Sequence, residues 1–425
     1  MRRKGFRPRV SRGNRLRSLP RLLLIGGVIV IVAVVCLAAV QLLRPVPPMA
    51  LTASVTTTVR VLPGTAPRPD WPGQGEAAVG LPGVGLLGTH GGDQPVPIAS
   101  LAKIMTAYVV LRDHPLATGA SGPSITVSAA DAAVYASDQQ QGQSVVAVTA
   151  GERLTELQAL EAMLIPSGNN IASLLASWDA GSVGAFVAKM NAAAAAMGLR
   201  HTSYADASGA DPATVSTASD QFALTVRALA IPVFRRIVAM PQVVLPVAGV
   251  AYNVNAALGY DGIVGVKTGS SSEAGGCLSF AALRTVGGRS VTVVGVVLGV
   301  RATAAQPSEL AGVISATEGL LRSVGGDLEH VDVVTPGAVL GTVSSAWATA
   351  PQEPAAVAAS GVSVTGWPGT PVAVTVTPRP LAHAVAAGQP VASATVTVGG
   401  SVSRITLDAG SAAAGPSVRW LLTRL

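Results

Sequence analysis

The first 43 residues combine a basic tail with one long apolar segment, and this pair constrains the topology of everything that follows. Residues 1–21 hold nine Lys and Arg and no acid, and Leu22–Leu43 is apolar except for Gln41 near its end. A helix of 22 residues spans roughly 33 Å, which is enough to cross the hydrocarbon core of a bilayer. We therefore predict a basic cytoplasmic tail at 1–21 and a single transmembrane helix at 22–43, with the body extracytoplasmic because of the positive-inside rule.

A cleaved signal peptide is the alternative to a retained membrane anchor. The apolar region of a signal peptide is normally shorter and ends at a small-x-small cleavage site. The segment Cys36-Leu37-Ala38 matches such a site only marginally. We therefore prefer the anchor, with the lipid bilayer as the partner of residues 22–43.

The net charge of +7 does not indicate a nucleic-acid-binding protein, because the excess lies in the tail. Beyond residue 21 the chain has 20 basic residues against 22 acidic ones. A basic tail before a near-neutral body is typical of a membrane topology signal and not of a phosphate-binding surface. The body holds one cysteine, Cys277, and its histidines are isolated in sequence, so we predict no intradomain disulfide, metal site or cofactor.

The rest of the chain divides into three parts. Residues 44–70 are rich in Pro and Thr without periodicity, which predicts an extended linker. In residues 71–326 two short strands that turn at Pro82-Gly83 are followed by helices, three successive strands and a closing helix. This order predicts an α+β catalytic domain, with an antiparallel sheet and helices packed on it. Residues 327–425 carry few charges and short alternating strands, which predict a small C-terminal all-β, sandwich-like domain.

Lysine is scarce, and two of the four lysines close short patterns that carry chemistry. Ser100-Leu101-Ala102-Lys103 opens a helix predicted to run to Leu111, and Lys267-Thr268-Gly269 ends a predicted strand. Residues three apart share a helix face, so the Lys103 amine is expected to reach the Ser100 hydroxyl. A serine becomes a nucleophile only when a base takes its proton, and a lysine is a base only when burial or nearby positive charge lowers its pKa.

A third pattern, Ser167-Gly168-Asn169, lies in a predicted turn between two helices. The capping box Thr155-Glu156-Leu157-Gln158 opens the first helix, Pro166 ends it, and the second begins near Asn170. Ser-x-x-Lys or Ser-x-Asn alone is more often an ordinary surface or turn feature than a site, and Lys-Thr-Gly at the end of a strand is a moderate signal. The three occur once each, in the order Ser-x-x-Lys, Ser-x-Asn, Lys-Thr-Gly, and each lies on the element that its chemistry requires. Together they favour one active site.

This constellation resembles that of the penicillin-interacting serine peptidases, and most closely the D-alanyl-D-alanine carboxypeptidases among the low-molecular-mass penicillin-binding proteins. The resemblance covers roughly residues 71–325, and the β-domain after it resembles the family's usual C-terminal module. The segments that carry it include Pro97–Ala107, Leu164–Asn170 and Asp261–Gly275. In two places the chain departs from the family: Asn170 stands where Asp is usual, and Ser270-Ser271 replace a bulky residue and Thr.

The resemblance implies a β-lactamase/transpeptidase-like catalytic domain that removes the terminal D-alanine from peptidoglycan stem peptides and is acylated by β-lactams as covalent inhibitors. The residues it implies are Ser100, Lys103 and Ser167 for catalysis, and Asn169, Lys267, Thr268, Gly269 and Ser270 for substrate binding. By position, Ser100 is the acylated nucleophile, Lys103 its base and Ser167 a proton relay to the leaving D-alanine.

The resemblance assigns the remaining residues to the substrate. It implies that Asn169 holds the substrate amide, while Lys267 and Thr268 bind the terminal carboxylate and Lys267 also supports Ser167. The backbone N–H groups of Ser100 and Ser270 are expected to form the oxyanion hole.

Two other functions remain open. The first is a β-lactamase. A class A β-lactamase uses a glutamate to drive water onto the acyl-enzyme, and no glutamate occurs between Glu161 and Glu273, so the sequence disfavours this function. A membrane-anchored β-lactam sensor, or a non-catalytic penicillin-binding module, uses the same acylatable serine. We expect a tail of 21 residues to be too short for a cytoplasmic output domain, so the carboxypeptidase is preferred.

Overall fold

The computed structural model describes residues 19–54, 56–348 and 353–424, so most of the predicted basic tail lies outside the described residues. The α-helices of this part, in chain order, are α1 (Leu19–Leu43), α2 (Ala102–Asp113), α3 (Ala129–Gln140), α4 (Glu156–Leu164), α5 (Asn169–Ala180), α6 (Val183–Met197), α7 (Ala218–Leu229), α8 (Pro232–Val238), α9 (Glu309–Gly325) and α10 (Val418–Thr423).

The strands up to α9 are β1 (Ala50–Ala53), β2 (Thr57–Val61), β3 (Glu76–Leu81), β4 (Gly85–His90), β5 (Val96–Pro97), β6 (Ser124–Thr126), β7 (Arg153–Thr155), β8 (Val215–Ser216), β9 (Gln242–Leu245), β10 (Gly249–Tyr252), β11 (Ile263–Ser271), β12 (Gly275–Val286) and β13 (Arg289–Val300). Those after it are β14 (Glu329–Val334), β15 (Val339–Ser344), β16 (Ala355–Ala358), β17 (Val362–Gly366), β18 (Pro371–Pro378), β19 (Pro390–Val398) and β20 (Ser401–Ala409).

The predicted α+β class is confirmed by an antiparallel five-stranded sheet with the order β11-β12-β13-β3-β4. Successive side chains of a strand point to opposite faces, so the sheet separates two cores. On β12, Cys277 and Ala281 join the larger core with helices α2 to α8, whereas Leu278 and Phe280 join the smaller core under α9. The edge strand β11 lies beside the start of α2, where the candidate residues meet.

Local signals predicted the elements around the site well. The capping box at the start of α4 is confirmed, because Gln158 N–H donates to Thr155 Oγ1 and Thr155 N–H donates to Gln158 Oε1. Helix α4 ends at Leu164, before Pro166, and α5 begins at Asn169. The predicted helix from Ser100 instead begins with a 3₁₀ turn over Ala99–Leu101, and regular α-helix starts at Ala102.

The C-terminal β-domain is built on a seven-stranded sheet with the order β1-β15-β16-β20-β19-β18-β2, beside a separate β14–β17 pair. Its core consists mainly of Val and Ala. The two domains meet where the buried Trp367 indole N–H donates to Val324 O at the end of α9, over 2.8 Å. Trp367 packs into the smaller core of the α+β domain, so the β-domain is docked against it.

Residues 44–70 differ from the predicted extended linker. Strand β1 pairs with β15 and β2 pairs with β18, so both edges of the β-domain sheet come from this segment. The β-branched run Thr57–Val61 suits a strand, but its partner lies about 300 residues later, and one local stretch cannot reveal such a pairing. The α+β domain is therefore an insertion within the β-domain, and the β-domain follows α1 directly.

Helix α1 is the one helix in the described part of the chain that is long and apolar enough by itself to cross a bilayer.

Candidate active site

Ser100 lies in the 3₁₀ turn before α2, in a backbone held by close contacts. Ala99 has φ of +44°, a left-handed value that is unusual for a residue with a side chain. A Cβ on Gly209 would lie only 1.8 Å from Ala99 O, so the 206–210 loop approaches this turn as only glycine permits. The turn presents the Ser100 hydroxyl beside the first turn of α2.

The Lys103 side chain is completely buried, and its amine contacts three oxygen atoms. Nζ lies 2.8 Å from Ser100 Oγ, 2.6 Å from Asn169 Oδ1 and 3.0 Å from Ser208 O. Burial lowers the pKa of Lys103 well below its usual value, and the charge of Lys267 lowers it further, while Asp206 acts in the opposite direction. An amine with a low pKa, beside the hydroxyl, has the geometry of a general base.

The Ser-x-Asn turn contributes Asn169 to the same cluster. Asn169 Oδ1 accepts from Lys103, and its Nδ2 donates to Gln143 Oε1 over 2.7 Å. Ser167 is buried in the same turn with φ of +68°. Among the described residues no hydrogen bond joins Ser167 to Lys103 or Lys267. Its role as a proton relay, and its support by Lys267, therefore stay predictions.

Strand β11 brings the Lys-Thr-Gly pattern against the nucleophile turn. A Cβ on Gly269 would lie 2.8 Å from Ser100 N, so glycine is required for this approach. Lys267 is 1% exposed, and its Nζ donates to Thr268 O over 2.9 Å. Burial lowers the pKa of Lys267 to about 7. Ser270, the next residue of this strand, is exposed, and its N–H as part of an oxyanion hole stays a prediction.

Two supports of the site were missed by sequence reasoning. Asp206 accepts from the N–H groups of Ser208, Gly209 and Ala210 and from the hydroxyls of Ser208 and Thr214. This network fixes the loop whose Ser208 carbonyl meets the Lys103 amine. The run Asp206-Ala207-Ser208-Gly209 is a turn signal that could have located the loop. Gln143 lies in a loop without any distinguishing local pattern.

Asn170, one of the two departures from the family, has a defined structural role. Its Oδ1 accepts from Val146 N and its Nδ2 donates to Val146 O, each over 2.9 Å. The side chain therefore pairs with both backbone groups of one residue, as a neighbouring strand does. This pair holds the segment after Gln143 against the start of α5.

We expect Asn170→Asp to loosen this segment, because a carboxylate accepts from Val146 N–H but cannot donate to Val146 O. The free energy of unfolding is expected to fall by about 1–3 kcal/mol near neutral pH, the cost of an unsatisfied buried carbonyl. Burial raises the pKa of the introduced carboxyl, so its destabilisation is present above the unfolded pKa and disappears as the pH falls and a donor proton returns. Denaturant unfolding at several pH values measures both effects.

A matched control is Asn191→Asp, because Asn191 pairs in the same way with Tyr204 N and O. It is expected to lose similar stability while keeping more of the Ser100 acylation rate than Asn170→Asp. A stability deficit of Asn170→Asp that stays constant down to acidic pH would contradict the donor argument.

Comparisons with known proteins place the site within one shared region. The family model described as D-alanyl-D-alanine carboxypeptidase matches residues 85–302, which contain every candidate site residue. The curated D-alanyl-D-alanine carboxypeptidase of Streptomyces sp. (strain K15) is 33% identical over 241 residues, which are 52% of this chain and 79% of that protein.

Solved structures show the same similarity. The Streptomyces K15 DD-transpeptidase is 28% identical and has a TM-score of 0.52, covering 61% of this chain and 99% of that one. Penicillin binding protein 5 from Haemophilus influenzae is 18% identical with a TM-score of 0.57, and the match covers 83% of this chain and 100% of that one. Because the match to penicillin binding protein 5 covers 83% of this chain, the shared fold extends beyond residues 85–302.

Proposed function

The chain belongs to the D-alanyl-D-alanine carboxypeptidase family, and we propose that it removes the terminal D-alanine from peptidoglycan stem peptides through an acyl-enzyme on Ser100. The observation that carries the proposal is the 2.8 Å contact between Ser100 Oγ and a completely buried Lys103 amine. Nucleophilic catalysis by a serine needs such a base within hydrogen-bond distance.

In the acylation step, Ser100 Oγ attacks the carbonyl carbon of the penultimate D-alanine and passes its proton to Lys103 Nζ. The negative charge on the carbonyl oxygen is stabilised by the N–H groups of Ser100 and Ser270. The C–N bond then breaks: the leaving D-alanine nitrogen takes the Ser167 hydroxyl proton, and the proton held by Lys103 replaces it, so the Lys103 amine is neutral again. Water then attacks the ester while Lys103 takes its proton, and Lys103 returns that proton to Ser100 Oγ as the acyl group leaves, which completes the reaction.

Recognition of the substrate falls to Asn169 and to strand β11. The Asn169 amide has a second N–H besides the one directed at Gln143, and that N–H binds the substrate carbonyl. The Lys267 ammonium and the Thr268 hydroxyl bind the terminal carboxylate of D-alanine. That carboxylate raises the pKa of Lys267 from its depressed value, so the substrate stabilises the charge that binds it.

The same machinery accepts β-lactams, which acylate Ser100 and then leave it slowly. The described cluster around Ser100 contains Lys103, Asn169 and Gln143, and no glutamate among them activates a water molecule on the acyl-enzyme. This supports a penicillin target over a β-lactamase.

We also place the enzyme in the cell membrane as a single-pass protein. Helix α1 crosses the bilayer, residues before it remain in the cytoplasm, and the catalytic domain works outside. The basic residues before the apolar helix support this orientation.

The proposal is tested with the full-length protein in detergent. A fluorescent penicillin is expected to label Ser100, as mapped by peptide mass spectrometry, and a diacyl-Lys-D-Ala-D-Ala tripeptide is expected to release free D-alanine. The Ser100→Ala variant is the control for both readouts. Label without D-alanine release supports the sensor, and absence of label at Ser100 contradicts the acyl-enzyme.

A further inference from the structure

The C-terminal end of helix α1 is capped by the side chain of Arg424, which lies some 380 residues later in the sequence. The Arg424 guanidinium donates to Gln41 O over 2.7 Å, to Pro45 O over 3.2 Å and to Arg44 O. In return, Gln41 Nε2 donates to Arg424 O over 3.1 Å. The last carbonyls of a helix have no hydrogen-bond donors within the helix, and they carry partial negative charge. A guanidinium at this position supplies both the donors and a positive charge.

Aromatic side chains surround the same point. The Trp420 ring lies edge-on to Trp347 at 5.8 Å, Trp347 lies 6.1 Å from His383, and Arg424 lies 5.4 Å from the Trp420 ring centre. His383 Nε2 contacts Val46 O at 2.9 Å, immediately after the apolar helix. These four residues, from three distant segments, form what we call the collar: Trp347, His383, Trp420 and Arg424.

The position and chemistry of the collar fit the boundary of a bilayer. Tryptophan is enriched at membrane–water interfaces, where its ring is half apolar and its N–H stays hydrated. Beside the collar, α10 exposes Val418 at 64% and Leu422 at 40%, although both are apolar. On α1 the half-buried Ala38 and Gln41 face α10, and the rest of the apolar span is exposed.

We propose that the collar is a membrane-interface site that clasps the outer end of α1 and docks the β-domain on the headgroup region of the outer leaflet. This proposal rests on α1 spanning the bilayer. Strands β1 and β2 follow α1 within the same sheet, so no long flexible linker separates the membrane from the β-domain.

The test uses the full-length protein in vesicles of brominated phosphatidylcholine, which quench nearby tryptophans. Quenching is expected to be stronger with bromine near the carbonyl end of the acyl chain than near its methyl end. In the double variant Trp347→Phe/Trp420→Phe it is expected to fall about twofold or more, since these rings lie at the interface. The control is Trp178→Phe in α5, whose ring is tilted against the His114 ring, with the ring centres 4.2 Å apart, in the catalytic domain.

The outcomes separate the collar from the anchor. Protein that does not float with vesicles overturns the membrane anchor and the collar site with it. Protein that floats but shows no collar-dependent quenching overturns the collar alone. In both cases D-alanine release from the soluble tripeptide is a separate readout of the catalytic proposal.

A second variant tests the clasp itself. Arg424→Ala is expected to free α10, so that chymotrypsin cuts the chain near Trp420 several-fold faster than in the unaltered protein. Arg419→Ala is the control on the same helix, because its side chain is exposed and, among the described residues, makes no hydrogen bond to α1. Equal cleavage of the two variants contradicts the clasp. Activity on the soluble tripeptide is expected to be unchanged in both.

Discussion

Arginine at position 103 is expected to abolish acylation of Ser100, with a rate loss on the order of 10³ or more. An arginine guanidinium keeps its proton in a protein and therefore cannot take one from the serine. Arginine also retains the positive charge. Comparing Lys103→Arg with the unaltered protein therefore shows whether position 103 must act as a base or only as a cation. Stopped-flow measurement of acylation by a fluorescent penicillin gives the rate, and Ser100 labelling at long times gives the end point.

The larger guanidinium enters a completely buried position, so folding must be checked by near-UV circular dichroism and denaturant unfolding. Lys103→Met, of similar length and without charge, is the second variant and is expected to lose acylation equally. The control Lys189→Arg changes a half-buried lysine that bridges Asp113 and the buried Asp179, and it is expected to acylate normally. Acylation retained by a folded Lys103→Arg protein would remove Lys103 from the role of base.

The parts of the site that the sequence predicted are those specified by local spacing. Ser100 and Lys103 lie one helical turn apart, and their contact follows from that spacing once the segment is helical. The capping box at Thr155 and the break at Pro166 likewise define the turn that positions Asn169. Each of these signals occupies a few consecutive residues, so it can be recognised without any knowledge of the tertiary structure.

The parts that were missed depend on contacts between distant segments. Gln143 orients Asn169 from 26 residues away, and the Ser208 carbonyl reaches Lys103 across 105 residues. Strands β1 and β2 lie in the segment predicted as a linker, because pairing with strands far along the chain leaves no local signal. Helix α3 is a different case, because its capping box at Ser128 and Asp131 is a local signal that the sequence itself carries.

Replacement of Lys267 by methionine is the second change with a large expected effect. Methionine fills a similar volume in the buried position but removes the charge that we propose binds the substrate carboxylate. Loss of such a charge-assisted contact is expected to lower kcat/KM for the D-Ala-D-Ala tripeptide roughly 10²-fold or more. A penicillin with a free carboxylate is expected to acylate more slowly as well, whereas its methyl ester, which lacks that charge, is expected to be affected much less.

The same variant also tests the electrostatic coupling of the two lysines. The charge of Lys267 helps to keep the pKa of Lys103 low, so its removal raises that pKa. Lys103 acts as a base only when deprotonated, and the acid limb of the acylation profile is therefore expected to move to higher pH in Lys267→Met. In the unaltered protein Lys267 has a pKa lowered to about 7, so binding of the carboxylate weakens as the pH rises through that value.

The resulting fall of kcat/KM at alkaline pH is expected to disappear in Lys267→Met, because the ammonium that loses its proton in that range is absent. The measurement is kcat/KM for the tripeptide and the acylation rate of the methyl ester, each followed across the pH range. Lys189→Met is the control for the loss of a lysine charge, since Lys189 on α6 pairs with Asp113 and with the buried Asp179, away from Ser100, and its folding is checked by denaturant unfolding. If the acid limb of Lys267→Met coincides with that of the unaltered protein, the field of Lys267 does not set the basicity of Lys103, and burial alone accounts for it.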